Sequence, residues 1–249
     1  MKPTFAILAA IATLTAAPAL AAGVPANITA ALAAPSRPAA DTARDAARKP
    51  GDLLAFTGVK TGDKVVDLIM GGGYFTRILS GAVGPTGHVY AYQPAEFVGF
   101  SADYGKALKD VAAAYPNVTP LGAAFSALDL PDGLDLVFTV QNYHDMHLKP
   151  FAADTAAKVN AEIFKSLKKG GVYLVVDHAA LPGTGIAPAD TLHRIDIAAV
   201  KSEVEAAGFK LEAQSPMLAA PADPHTANVF DPSIRGKTDQ FILKFRKPK

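Results

Sequence analysis

Two short acid–histidine pairs, His144-Asp145 and Asp177-His178, carry the side chains in this sequence best suited to moving a proton. A histidine within hydrogen-bond reach of an aspartate works as a general base near neutral pH, and the carboxylate fixes its tautomer. Such a base serves a hydroxyl or amine nucleophile as it attacks. The bland alternative is that these groups cap loops or pair with Arg194. A metal is a third possibility, because His144, His147 and His178 with Asp145 or Asp177 offer suitable nitrogen and oxygen donors. The i, i+3 pair His144/His147 shares a face only in a helical loop, and Pro150 follows closely, so the expectation is no metal.

A second constellation is Asp67 followed by Gly71-Gly72-Gly73-Tyr74. Successive glycines let backbone approach a ligand closely, and a helix opening behind them presents free N–H groups to anions. Asp67 is placed to organise that loop or to meet an ammonium group. A dinucleotide fingerprint requires a third small residue where Thr76 stands, so a nicotinamide cofactor is disfavoured. A purely structural tight turn is the remaining reading.

These residues need elements to position them. Lys64 to Ile69 is a short β-rich run, Tyr74 to Val83 an amphipathic helix and His88 to Tyr92 a strand, which together make a βαβ unit. The alternation continues with a helix at Ala102 to Ala114 and strands at Val118 to Leu121 and Leu134 to Val140. A helix at Thr155 to Leu167, ended by Lys168-Lys169-Gly170-Gly171, precedes a strand at Val172 to Val176. Ile197 to Ala207 is helical, and strands at Phe209 to Gln214 and Gln240 to Phe245 close the chain. About seven strands separated mostly by helices demand a mainly parallel α/β sheet covered on both faces, with the last strand returning antiparallel. In such a sheet ligands bind off the carboxyl ends of the strands, where both constellations fall.

The chain of 249 residues suits a single α/β domain with an appendage. Its 24 basic and 23 acidic residues argue against a nucleic-acid binder, which needs a basic excess. The absence of cysteine removes disulfides, cysteine-ligated metals and thiol nucleophiles. Residues 1–21 read as a secretory signal peptide: Lys2, an apolar run from Phe5 to Thr15, and the small residues Ala19 and Ala21 before cleavage. Cleavage leaves no membrane anchor and places the protein in the periplasm or outside the cell. Residues 22–40, rich in Ala and Pro, read as a tether, with at most a short helix at Asn27 to Ala33, before a domain spanning residues 41–249. Oligomeric state is not legible.

The chain resembles the class I fold that binds S-adenosylmethionine, and in particular the exported predicted methyltransferases of bacteria. The resemblance runs from about Arg44 to Pro248 and rests on Arg48-Lys49-Pro50, Asp67 with Gly71 to Gly73 and Tyr74-Phe75-Thr76, and Gln141-Asn142-Tyr143-His144-Asp145. Asp177-His178, His193-Arg194-Ile195-Asp196 and Gly236 to Phe241 complete it. It implies a Rossmann-like sheet of seven strands with the last antiparallel, S-adenosylmethionine as cofactor and a small molecule as methyl acceptor. The residues it marks for the cofactor are Asp67, Gly71, Gly72, Gly73, Tyr74, Gln93, Phe125 and Gln141. His144, Asp145, Asp177 and His178 would lie at the acceptor, where relatives of this fold meet substrate. Three positions depart from the family pattern: Ile69 replaces a glycine, Gln93 replaces the acid that holds the ribose, and Ala124-Phe125 stands where many relatives carry an acid near adenine. A binding protein that kept the fold and lost the reaction is the alternative function. Arg194 is expected to clamp a carboxylate or to pair with Asp196 or Glu203, and Glu203 to sit on a solvated helix face.

Overall fold

A computed structural model describes residues 23–249; the leader and its cleavage point lie outside the described residues. Four helices precede the sheet: α1 (Ala26–Leu32), α2 (Ala39–Thr42), α3 (Asp45–Arg48) and α4 (Pro50–Thr57). The central run is β1 (Lys64–Leu68), α5 (Tyr74–Val83), β2 (His88–Tyr92), α6 (Ala95–Phe100), α7 (Ala102–Ala114), β3 (Val118–Leu121) and β4 (Leu134–Val140). Then come α8 (Thr155–Ser166), β5 (Leu167–His178), α9 (Ala189–Leu192), α10 (Ile197–Ala206), β6 (Lys210–Ser215) and β7 (Gln240–Arg246).

The strands form one seven-stranded sheet in the order β3-β2-β1-β4-β5-β7-β6. β7 runs antiparallel to both its neighbours, as expected, and the remaining pairings are parallel. Both faces are covered: Leu136, Phe138 and Val140 alternate into one core with α1, α5 and α7, while Val137, and Leu134 across the register shift, enter the other with α8 and α10. Strand order reverses between β1 and β4, so their carboxyl ends part to open a crevice, the place where open α/β sheets bind ligands.

Two expectations are corrected. The segment read as a tether is part of the domain: Ile28 is fully buried, Ala31 nearly so, and the Asn27 amide donates to the Ala82 carbonyl at 2.9 Å. Its alanines allow a close helix–helix approach rather than flexibility, for a Cβ placed on Gly81 would lie 2.8 Å from the Ala31 Cβ. β5 also starts five residues earlier than the sequence suggests, because Leu167 pairs with Leu134 across a register shift and Gly170 takes a positive φ of 80° within the strand. Among the described residues no helix is long and apolar enough to cross a membrane.

Candidate active site

A cavity of about 750 Å³ lies over the carboxyl ends of β1, β4 and β5. Its floor at one end is the loop after β1. Gly71 and Gly72 line the cavity, and a Cβ on either would meet nothing within 4 Å, so the backbone itself faces open space. Gly73 does not line it. With φ at 80° it is the left-handed N-cap of α5, and a Cβ there would come within 2.6 Å of Val111 Cγ2. Glycine is therefore required at this position by shape as well as by torsion.

Asp67, the penultimate residue of β1, forms part of the cavity wall while almost fully buried. Its carboxylate accepts a 2.6 Å hydrogen bond from the Thr76 hydroxyl. Burial raises its pKa to about 6, against the opposing pull of Thr76 and the Arg48 charge. Arg48 lines the same end, with its Nε left without a partner and an Nη contact to the Gln141 side-chain oxygen at 3.4 Å. Burial, with Arg44 adding, lowers its pKa to about 10. The Tyr74 ring sits between the guanidinium groups of Arg48 and Arg44, at 4.4 and 4.8 Å, and its hydroxyl donates to Asp45 at 2.6 Å. Tyr74 thus anchors two cavity-lining arginines, Arg44 and Arg48, whose part in the site the sequence pattern does not reveal.

The departures from the family pattern have visible consequences. Ile69 occupies the left-handed region at φ 61°, where a glycine is unstrained and a β-branched residue is not. Burial of its side chain and a 2.8 Å bond from the Asn142 amide to its carbonyl hold it there. Gln93 does not open on the cavity; it is fully buried, its side-chain oxygen accepts from the Gly71 N–H at 2.9 Å, and its Nε2 has no partner. Phe125 also turns away, packing edge-on against Phe97 and Phe151 beside a separate shallow hollow. Phe97, Phe100 and Tyr104 line the main cavity instead. Gln141, at φ 66° immediately after β4, does line it.

The histidines assemble at the other end. His144 opens a 3-10 turn, His144–His147, and both its backbone N–H and its Nδ1 bond the fully buried Asp177, at 2.7 and 2.8 Å. Its Nε2 lies 3.2 Å from Asp145 Oδ1 and 3.3 Å from His193 Nδ1, and the last two atoms are 3.9 Å apart. Burial alone would lower the His144 pKa; Asp177 and Asp145 outweigh it and hold the ring up at about 10, as an imidazolium. Burial would likewise raise Asp145, yet His144 and His193 keep it below the usual carboxylate range. His178 is pulled down to about 4 by burial, with the His144 charge adding to the effect, and its Nδ1 sits 2.8 Å from the Thr238 hydroxyl.

Asp145, His144, His178 and His193 reach the cavity, whereas Asp177 stands behind His144 and His147 points elsewhere. His147 meets Glu203 at 3.1 Å, and the Tyr143 hydroxyl donates to the same carboxylate, so Glu203 is not a solvated bystander. The trio His144, His147 and His178 is not brought together. His193 takes its place, carried in by a left-handed residue at φ 52° that ends α9 and by the parallel bridge between Ala179 and Ile195. Arg194 is not a ligand clamp. Fully buried, it forks onto Asp223 at 2.8 and 3.0 Å and also donates to the Ala227 and Ala179 carbonyls. Asp196 instead caps α10 through the Ala198 N–H. The clasp fixes the stretch 216–237, from which Val229, Phe230 and Arg235 form a cavity wall.

No protein-family model and no curated protein matches the chain. Solved structures do. A SAM-dependent methyltransferase from Aquifex aeolicus superposes with a TM-score of 0.56 at 19% identity, covering 82% of this chain and 98% of its own. The glycopeptide N-methyltransferase MtfA, complexed with sinefungin, gives 0.55 at 17% identity over 83% of this chain and 87% of its own. The 4+2 cyclase SpnF gives 0.58 at 17% identity over 82% of both chains. At these identities the likeness speaks for the fold, and the strand order with its antiparallel β7 agrees. The chain has the seven-stranded Rossmann-like fold of class I methyltransferases.

Proposed function

We propose that this protein is an S-adenosylmethionine-dependent methyltransferase acting on a small molecule. One observation carries the reading: at the switch point of this fold, Asp67 and the bare backbone of Gly71 and Gly72 face a cavity of about 750 Å³, within the size range of cofactor sites. The bound cofactor would supply an electrophilic methyl group on a sulfonium centre.

The chain's own groups fit its methionine end. Asp67 offers a carboxylate to an ammonium, and the free Nε of Arg48 offers a charged donor to a carboxylate. At the β2 end Gln93 supports the Gly71 loop from beneath and does not reach the cavity, while Phe97, Phe100 and Tyr104 supply apolar surface where Phe125 does not. An acceptor hydroxyl or amine would meet the corner of His144, Asp145, His178 and His193, with Asp145 the cavity-facing carboxylate to receive its proton. Orientation within the enclosed cavity supplies most of the acceleration in such a transfer.

Calorimetric titration of the purified chain with S-adenosylmethionine and S-adenosylhomocysteine tests this, one-to-one binding being the expected result. A second reading, a ligand-binding protein on the same fold, draws on the inward turn of Gln93 and the strained Ile69. Native mass spectrometry separates the two: a co-purified ligand unrelated to adenosine supports binding without transfer. The leader motivates a proposal of export to the periplasm or beyond, as a member of the exported bacterial group, checked by N-terminal sequencing of the secreted form for a start after Ala21.

A further inference from the structure

We infer that His144, Asp145 and His193 form a binding site for one divalent transition-metal ion at the cavity's histidine end. The three donor atoms lie 3.2, 3.3 and 3.9 Å from one another, separations that leave a point about 2.0 Å from all three. That is the length of a zinc–nitrogen or zinc–carboxylate bond, so the ion fits with little movement of the protein. Two imidazoles and one carboxylate select zinc or iron(II) over magnesium and calcium, which take oxygen donors.

An observation beyond the three donors points the same way. His144 presents Nε2 to the site while Nδ1 is held by Asp177 at 2.8 Å, and Asp177 is itself fixed by the backbone N–H groups of His144 and His178. A carboxylate behind a histidine in this manner orients the ring and raises its strength as a ligand. Asp145 and Asp177 bring two carboxylates to one buried corner, and an ion bound there takes the place of the proton on His144 Nε2. The support is rigid on both sides: Lys149 donates its N–H to Asp190 at 2.9 Å, tying the His144 turn to α9, which ends at His193. The remaining coordination positions face the cavity, open to water or to an oxygen donor of a ligand held there. The site shares His144, Asp145 and His193 with the proposed acceptor corner, where a bound ion would make Asp145 a ligand in place of a proton acceptor, and shares no donor with the cofactor end.

The test is titration of tag-free, chelator-stripped protein with zinc chloride by calorimetry, and with cobalt chloride by visible absorption. The expected result is one equivalent bound, with cobalt bands of low-coordinate geometry. His193→Asn retains a residue that tolerates the left-handed backbone and should lose binding, while Asp177→Asn should weaken it by about 10–100-fold. His147→Gln, outside the donor set, should bind as the parent does, and circular dichroism checks that each variant is folded. Less than about 0.1 equivalent of either metal on the folded parent, or unchanged binding in folded His193→Asn, overturns the assignment. Binding of S-adenosylmethionine is measured separately, so failure of one proposal is distinguishable from failure of the other.

Discussion

Asp67 is the residue whose chemistry responds most directly to the medium. Its folded pKa of about 6 exceeds the ordinary 3.8, so the native state holds its proton more tightly than the unfolded chain does. The Asp67 contribution to stability is therefore greatest below pH 3.8 and declines as pH rises to about 6. An ammonium ligand needs the ionised form. S-adenosylmethionine affinity should rise up to about tenfold per pH unit below 6 and level off above it, and Asp67→Asn should flatten that profile in calorimetry between pH 5 and 8. The glycines separate shape from function. Gly73→Ala forces a side chain against Val111 at a positive φ and should lower stability by about 1–3 kcal/mol in denaturant melts. Gly72→Ala points into open space, so the fold should hold while cofactor affinity falls about tenfold. Asp67 and this loop were legible because acid and glycines are close in sequence. His193 was legible as a residue beyond the fifth strand but not as the partner of His144, and Arg48 carried no role, since a left-handed residue after α9 and the packing of α3 under Tyr74 set their positions.

Among the elements, the stretch 216–237 is held by the Arg194–Asp223 fork, and Asp223 also accepts from the Asp239 and His225 backbone N–H groups. Removing one partner strands the other's charge in the interior, so Arg194→Met should cost about 3–5 kcal/mol and loosen the wall that carries Val229 and Phe230. Thermal melts and hydrogen exchange confined to residues 216–239 would report both effects; a melting point unchanged from the parent would contradict the clasp. At the other end of the chain, Ile28→Ala should destabilise by about 2–4 kcal/mol if α1 is core, whereas a tether would show no change. Strands β2 to β4 and helices α5 and α7 were readable to the residue from apolar alternation and helical period, and β1 to within one residue. α1 was not, because an alanine-rich helix that packs by close approach has the same composition as a linker.

For the whole molecule, topology and cavity position followed from the order of strands and helices, while the identity of what the cavity holds did not. The fold places one end of the cavity against Asp67, Arg48 and a bare glycine backbone, and the other against a histidine–aspartate corner. With 24 basic and 23 acidic residues the chain is close to neutral, and the two ends of this cavity hold its most concentrated chemistry. The most direct measurement is calorimetric titration of the folded, wild-type mature chain with S-adenosylmethionine at pH 7.5. The account predicts saturable one-to-one binding in the micromolar range, about −7 to −8 kcal/mol, lost or weakened in Gly72→Ala. No binding at millimolar cofactor would contradict it.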